Sequence, residues 1–202
     1  MKNRGGKTEK ILELARKSGV VSTAEVHAQG IHHEYLRQLC VKGELVRVGR
    51  GLYSLPNAEI TVYHGLAQAA KSAPKGVICL LSALHFHEIG TQAPHEVWIA
   101  LDRRAARPRI AHPKTRFVRF SGKAFTEGVD EHTIEGVRVS ICSPAKTVAD
   151  CFKYRNKIGI DVALEALRDV LRNRKCSTDE LWKYAKVCRV TKIMRPYMEA
   201  TV

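Results

Sequence analysis

No two cysteines stand at CxxC spacing, and the six that occur, at positions 40, 79, 142, 151, 176 and 188, lack the histidines that a zinc module would place around them. A zinc ribbon is thereby excluded, and the cysteines read as reduced thiols in the core or at the surface. No run approaches the ~18 apolar residues of a membrane span, and the opening MKNRGGKTEK lacks the apolar stretch of a secretory signal. The expected location is cytoplasmic, with no membrane partner. GxxxxGK[ST], GxGxxG behind a strand, HExxH and GxSxG are all missing. The expectation is therefore a protein that is not an enzyme, with no catalytic residue, no cofactor and no metal. Acidic residues are the other scarcity: 20 Asp and Glu against 34 Lys and Arg leave a formal charge of +14. Such a balance points to a polyanionic partner and says nothing of the fold.

Over 202 residues, 45% apolar, 27% charged and 6% aromatic content suits an ordinary globular chain of one large domain or two smaller ones. Ile11, Leu12, Leu14 and Ala15 stripe a first helix over Thr8 to Ser18, with Gly19 where a C-cap glycine belongs. Ser22 and Glu25 form a capping box opening a short second helix that ends near Gln29 and Gly30. A third helix, about His32 to Lys42, turns Leu36, Leu39 and Cys40 to one face before Gly43. Then the period changes: residues 44–48 and 52–55 are β-prone and flank Gly49-Arg50-Gly51, a hairpin with a basic tip. Three helices and a hairpin in this order spell a winged helix-turn-helix. Its expected core is Ile11, Leu14, Leu36, Leu39, Val46 and Leu55, and the Pro56-Asn57-Ala58 segment suggests domains at 1–58 and 59–202.

Beyond this module the texture predicts helices at Tyr63–Ala73 and Val77–Ile89, strands at 96–101 and 116–120, and two strands within Val129–Ile141 turned at Glu135-Gly136. From Ser143 onward the pattern is helical, including a second capping box at Ser177 to Glu180. The fold class is α+β: a winged helix-turn-helix followed by a larger mixed α/β domain ending in a helical bundle.

On the third helix Glu34 and Gln38 point away from the apolar face, with Tyr35 and Arg37 on the flanks. These types suit base edges: Gln pairs with adenine, Arg with guanine, and Glu accepts from cytosine. His32 and His33 sit at the helix start, where amides and the dipole favour phosphate. At the wing, Arg50 between two glycines is free to approach DNA, with Arg47 and Tyr53 in support. A solvated face of a protein-binding module of the same shape remains the competing reading of this helix. A further basic stretch, Arg103, Arg104, Arg107, Arg109, Lys114, Arg116 and Arg119, has no acid between Asp102 and Glu127. Charge alone leaves it open as a nucleic-acid surface or a solvated basic loop and strand. Ser143-Pro144-Ala145-Lys146 has the SxxK spacing of serine acyl enzymes, but the proline and the missing companion elements favour a plain N-cap at Ser143. His85, His87 and His95 do not share a helix face and read as ordinary histidines.

The run ILELARKSGVVSTAEVHAQGIHHEYLRQLCVKGELVRVGRGLYSLP resembles the winged helix that opens AbiEi-type antitoxins of abortive-infection, type IV toxin-antitoxin systems. SALHFHEIG, EVWIAL and SPAKTVADCFKYRNKIGIDVALEALRDVL are similar to the antitoxin domain of that family. The resemblance implies an autorepressor that binds inverted repeats of operator DNA and counteracts a nucleotidyltransferase-like toxin encoded next door, with no stable toxin complex assumed. The residues alone keep two other classes open: a winged-helix transcription factor with a ligand-sensing C-terminal domain, and a nucleic-acid-processing enzyme using the basic stretch.

Overall fold

The computed structural model describes residues 4–57 and 61–200, and the chain divides into two compact units. The domain boundary expected at residues 58–59 lies outside the described residues. The first unit takes the chain up to Pro74 together with Pro108–Lys114 and Thr133–Val139, and the second takes the remainder.

In the first unit α1 (Arg4–Ser18), α2 (Thr23–Ala28) and α3 (Glu34–Val41) enclose Ile11, Leu12, Ala15, Val21, Val26, Ile31, Leu36, Leu39 and Leu45. The capping box forms as the sequence implies: the Glu25 amide donates to Ser22 Oγ at 3.2 Å and the Ser22 amide to Glu25 Oε2 at 2.8 Å. Strands β2 (Val46–Gly49) and β3 (Leu52–Ser54) make the wing, and β1 (Val20–Ser22) adds to β3, giving an antiparallel sheet of order β1-β3-β2. With α4 (His64–Ser72) the unit is a winged helix-turn-helix with one added helix. The expected core place of Val46 is corrected: Leu45 is 1% exposed while Val46 is 41% exposed. Strand periodicity is two, so a one-residue difference in phase exchanges inside for outside.

A hairpin tip from much later in the chain completes this unit. The turn at Glu135-Gly136 lies against the C-terminal end of α1 so closely that a Cβ on Gly136 would fall 2.3 Å from the Lys17 carbonyl oxygen, and one on Gly19 2.4 Å from that of Glu135. The Glu135 carboxylate accepts from the Thr61 amide at 2.8 Å and hydroxyl at 2.9 Å, and meets His64 Nδ1 at 2.6 Å. These bonds hold its pKa below the ordinary carboxylate value against the opposing effect of burial, the larger single influence. With hydrogen on Nδ1, the His64 ring accepts at Nε2 from the Gln68 amide at 2.9 Å, and that amide also donates to the Val48 carbonyl at 3.4 Å. A polar relay thus runs from the tip through α4 to the strand that carries the wing.

A five-stranded sheet of order β6-β5-β4-β8-β7 is formed by β4 (Val77–Ile78), β5 (Val97–Asp102), β6 (Thr115–Phe120), β7 (Val129–Ile134) and β8 (Val137–Cys142), and all of it belongs to the second unit except the β7–β8 tip within Thr133–Val139. Strand β4 is antiparallel to β5 and parallel to β8, while β5 and β6 are parallel. The helix expected over Val77–Ile89 is corrected to β4 followed by α5 (Leu80–Phe86). Ile78 pairs with both Ile99 and Ile141, and this place between two strands overrides the helical spacing of its neighbours. After the short α6 (Lys123–Thr126), the chain ends in α7 (Pro144–Lys153), α8 (Arg155–Ile158), α9 (Ile160–Arg172), α10 (Thr178–Val187) and α11 (Thr191–Glu199). Helix α7 is buried on every face from Ala145 to Phe152, as befits a central helix that α5, α9 and α10 all pack against. The fold is α+β, as expected.

Ser143 takes the N-cap position of α7, but its side chain makes no capping bond and its Oγ is buried without a partner. Lys146, three residues on, is fully buried and paired with Asp150 on the same helix at 2.5 Å. Its ammonium also lies 4.6 Å from the centre of the Phe120 ring. The lysine is thus committed to a carboxylate rather than free to activate a serine. Cys188 and Cys142 complete the surroundings of Asp150, with Sγ atoms 3.2 and 3.8 Å from its two oxygens. Burial pushes both thiols far above their ordinary range. All six cysteines are free.

Candidate nucleic-acid interface

Helix α3 presents one outward stripe. Leu36 and Leu39 are fully buried, and Glu34, Arg37, Gln38 and Val41 recur at helical spacing on the opposite side. Val41 is 77% exposed, an apolar group in a row of polar ones, and the sequence reading passed over it. Its spacing from Arg37 and Gln38 was the available signal. A methyl-bearing residue there suits contact with the 5-methyl of thymine.

Glu34 and Arg37 are joined: Arg37 Nε donates to Glu34 Oε1 at 2.7 Å, and the guanidinium holds the Glu34 carboxyl below its usual pKa. Arg37 Nη2 lies at 2.7 Å from the same Glu34 oxygen, so the pair steadies the guanidinium on the exposed helix surface. His32 and His33 are exposed and their rings lie 4.2 Å apart. The phosphate role expected of the helix start has fewer donors than the sequence implied. The Glu34 amide donates to His32 Nδ1 at 3.2 Å, and those of Tyr35 and Leu36 donate to the carbonyls of His32 and His33.

The wing forms where expected. Arg47 pairs with Tyr53 across the hairpin, a bulge follows between Arg47 and Gly49, and Arg50 stands exposed at the tip. Arg47 Nε donates to the Gly49 carbonyl at 3.1 Å, so this side chain folds along the wing it supports. Tyr35 and Tyr53 are half-buried and pack against the core, with Lys7 Nζ 5.7 Å from the Tyr35 ring centre. They steady the surface more than they extend it.

The basic stretch divides between the units. Arg109 and Lys114 fall in the first, while Arg103, Arg104, Arg107, Arg116 and Arg119 fall in the second. Within the second, Arg116 is 2.6 Å from Glu96 and lies over Trp98, and Arg107 lies over Phe117. Arg119 donates to the carbonyls of Asp102 and Ala105. Arg103 and Arg104 remain exposed and line an open hollow of about 640 Å³ with Asp102, Ser121 and Gly122.

Residues 9–56 match the family model described as transcriptional regulator, AbiEi antitoxin. The fold is similar to the crystal structure of the RV2827C protein from Mycobacterium tuberculosis, with a TM-score of 0.58 and 16% sequence identity over 92% of this chain and 73% of that one. No curated protein matches the chain. Among the described residues, no helix is long and apolar enough to cross a membrane.

Proposed function

We propose that this protein is the antitoxin of a type IV toxin-antitoxin system, one that binds the inverted repeats of its own operator and represses transcription. Its functional partner is a nucleotidyltransferase-like toxin encoded by the neighbouring gene, opposed without a stable complex being required. The protein acts by binding and not by catalysis, and its site of action is the cytoplasm. The observation that carries the reading is the outward stripe of α3 beside a basic wing, in a segment that matches an antitoxin regulator family. Arg37 and Gln38 read bases, Arg50 meets backbone, and His32, His33, Arg47, Tyr35 and Tyr53 hold or flank that surface. Arg103 and Arg104 are left for the antitoxin activity of the second unit.

Duplex binding should weaken with salt by a slope of about −0.9 per phosphate neutralised, since each contact releases condensed counterion. A duplex from the region upstream of the gene should be preferred to a scrambled one. Removing Arg37 or Gln38 should relax that preference by roughly 1 to 3 kcal/mol per lost base contact. Equal losses on both duplexes from Arg37→Ala would take α3 out of the specificity argument. Salt-insensitive binding, or failure of the protein to restore growth to cells expressing the neighbouring toxin, would defeat the reading.

A further inference from the structure

We infer that Pro108–Lys114 is a second basic finger of the DNA-binding unit, placing Arg109 beside the wing residue Arg50 so that the two grip the sugar-phosphate backbone of bound duplex. The inference rests on the DNA-binding reading above and extends the interface to residues more than fifty positions beyond the wing.

Residues on both sides of Pro108–Lys114 belong to the second compact unit, and the segment itself belongs to the first. There it closes one side of a cavity of about 250 Å³. Arg109 and His112 of the segment, Arg50 of the wing, Ser22 and Thr23 at the start of α2, and Lys71 of α4 are among its lining residues. The charges around this cavity are unevenly satisfied. Glu25, the acid closest in the chain to the α2 lining residues, accepts Lys71 Nζ at 2.5 Å and the Ser22 amide and hydroxyl, both at 2.8 Å. Those donors lower its pKa against the opposing influence of burial. Its capacity is spent within the fold.

Arg50 and Arg109 are exposed, and among the described residues neither has a carboxylate at ion-pair distance. By contrast, Arg16, Arg37 and Arg116 all have one. Two guanidiniums that line one cavity, with no carboxylate partner among the described residues, are both attracted to an anion placed between them. The planar fork of each matches two phosphate oxygens at once. The wing side of the cavity is anchored: the Thr23 amide and hydroxyl both donate to the Gly51 carbonyl, at 2.8 and 3.1 Å, so the turn bearing Arg50 is tied to α2. In a helix-turn-helix the helix before the recognition helix crosses the DNA backbone, and the start of α2, the helix before α3, lines this cavity.

The test compares full-length Arg109→Ala, Arg50→Ala, the double variant, Arg109→Lys and Lys186→Ala, the last an exposed residue of α10 in the other unit. Each is titrated with the upstream duplex and a scrambled one over a range of salt. Arg109→Ala should flatten the salt slope by about one unit on both duplexes alike, Arg50→Ala likewise, and the double variant by about two. Arg109→Lys, which keeps the charge, should retain the slope and so separate lost charge from a disturbed fold. Lys186→Ala should behave as the unaltered protein. A wild-type slope for Arg109→Ala alongside a flattened one for Arg50→Ala would overturn the second finger and leave the DNA reading standing. A loss confined to the upstream duplex would overturn the backbone assignment. Absence of binding by the unaltered protein would bring down the DNA reading and this inference with it.

Discussion

Gly136→Ala should destabilise the protein by about 2 to 4 kcal/mol, combining a left-handed backbone position with a collision that no rotamer relieves. Gly136 has φ near +73°, and the added Cβ would sit 2.3 Å from the Lys17 carbonyl oxygen and 2.7 Å from Ser18 Cα. Both obstacles are backbone at the end of α1, so the tip or the helix must move. Moving the tip pulls Glu135 from His64 and Thr61 and slackens the relay that reaches the wing strand through Gln68. Gly43→Ala is the matched control: φ is also +73°, but nothing lies within 4 Å of the new Cβ. Its cost should be about 1 kcal/mol, the backbone contribution alone. For a chain of this size each kcal/mol lowers Tm by about 2 to 4 °C, so thermal unfolding resolves the pair. Equal melting of the two variants would show that the tip does not press on α1.

The elements written in local chemistry were legible. Capping boxes at Ser22 and Ser177, glycines behind α1 and α3, and the change of period at residue 44 placed the winged helix and the closing helices. Elements defined by a distant partner were not. Strand β1 is three residues long and β4 two, and each is a strand only because β3, or β5 and β8, lies beside it. The site followed the same rule. The outward face of α3 and the Arg50 tip could be read from spacing, whereas Arg37 bonding to Glu34 and Tyr53 turning to the core depend on packing. The His64–Glu135 pair spans 71 positions, and the return of Pro108–Lys114 to the first unit is a matter of topology. The SxxK spacing shows the converse hazard. Ser143 and Lys146 stand one turn apart, as the pattern requires, but the ammonium is spent on Asp150, a residue that the pattern does not include.

Lys146→Met should cost about 3 to 5 kcal/mol, because it strands a buried carboxylate. Asp150 is 2% exposed, and without Lys146 its oxygens keep, among the described residues, the two thiol contacts from Cys188 and Cys142. Thiols are weak donors and cannot replace an ammonium. The paired removal should behave differently. Lys146→Met with Asp150→Leu exchanges a desolvated ion pair for apolar volume on a helix buried on every face from Ala145 to Phe152, and should recover most or all of the loss. The single variant also carries a pH signature. Burial already pushes the Asp150 carboxyl above its ordinary pKa, and removal of the cation, which opposes that push, should raise it further. An acid whose folded pKa exceeds its unfolded value contributes stability below the unfolded pKa and loses it as pH rises through the folded one. Lys146→Met should therefore be most stable in mild acid and weaken toward neutral pH, and the double variant should lack that slope. Denaturant unfolding of the three proteins across this pH range reads both effects. A double variant as unstable as the single one, with the same pH slope, would show that the loss comes from repacking around α7 and not from an uncompensated charge at Asp150.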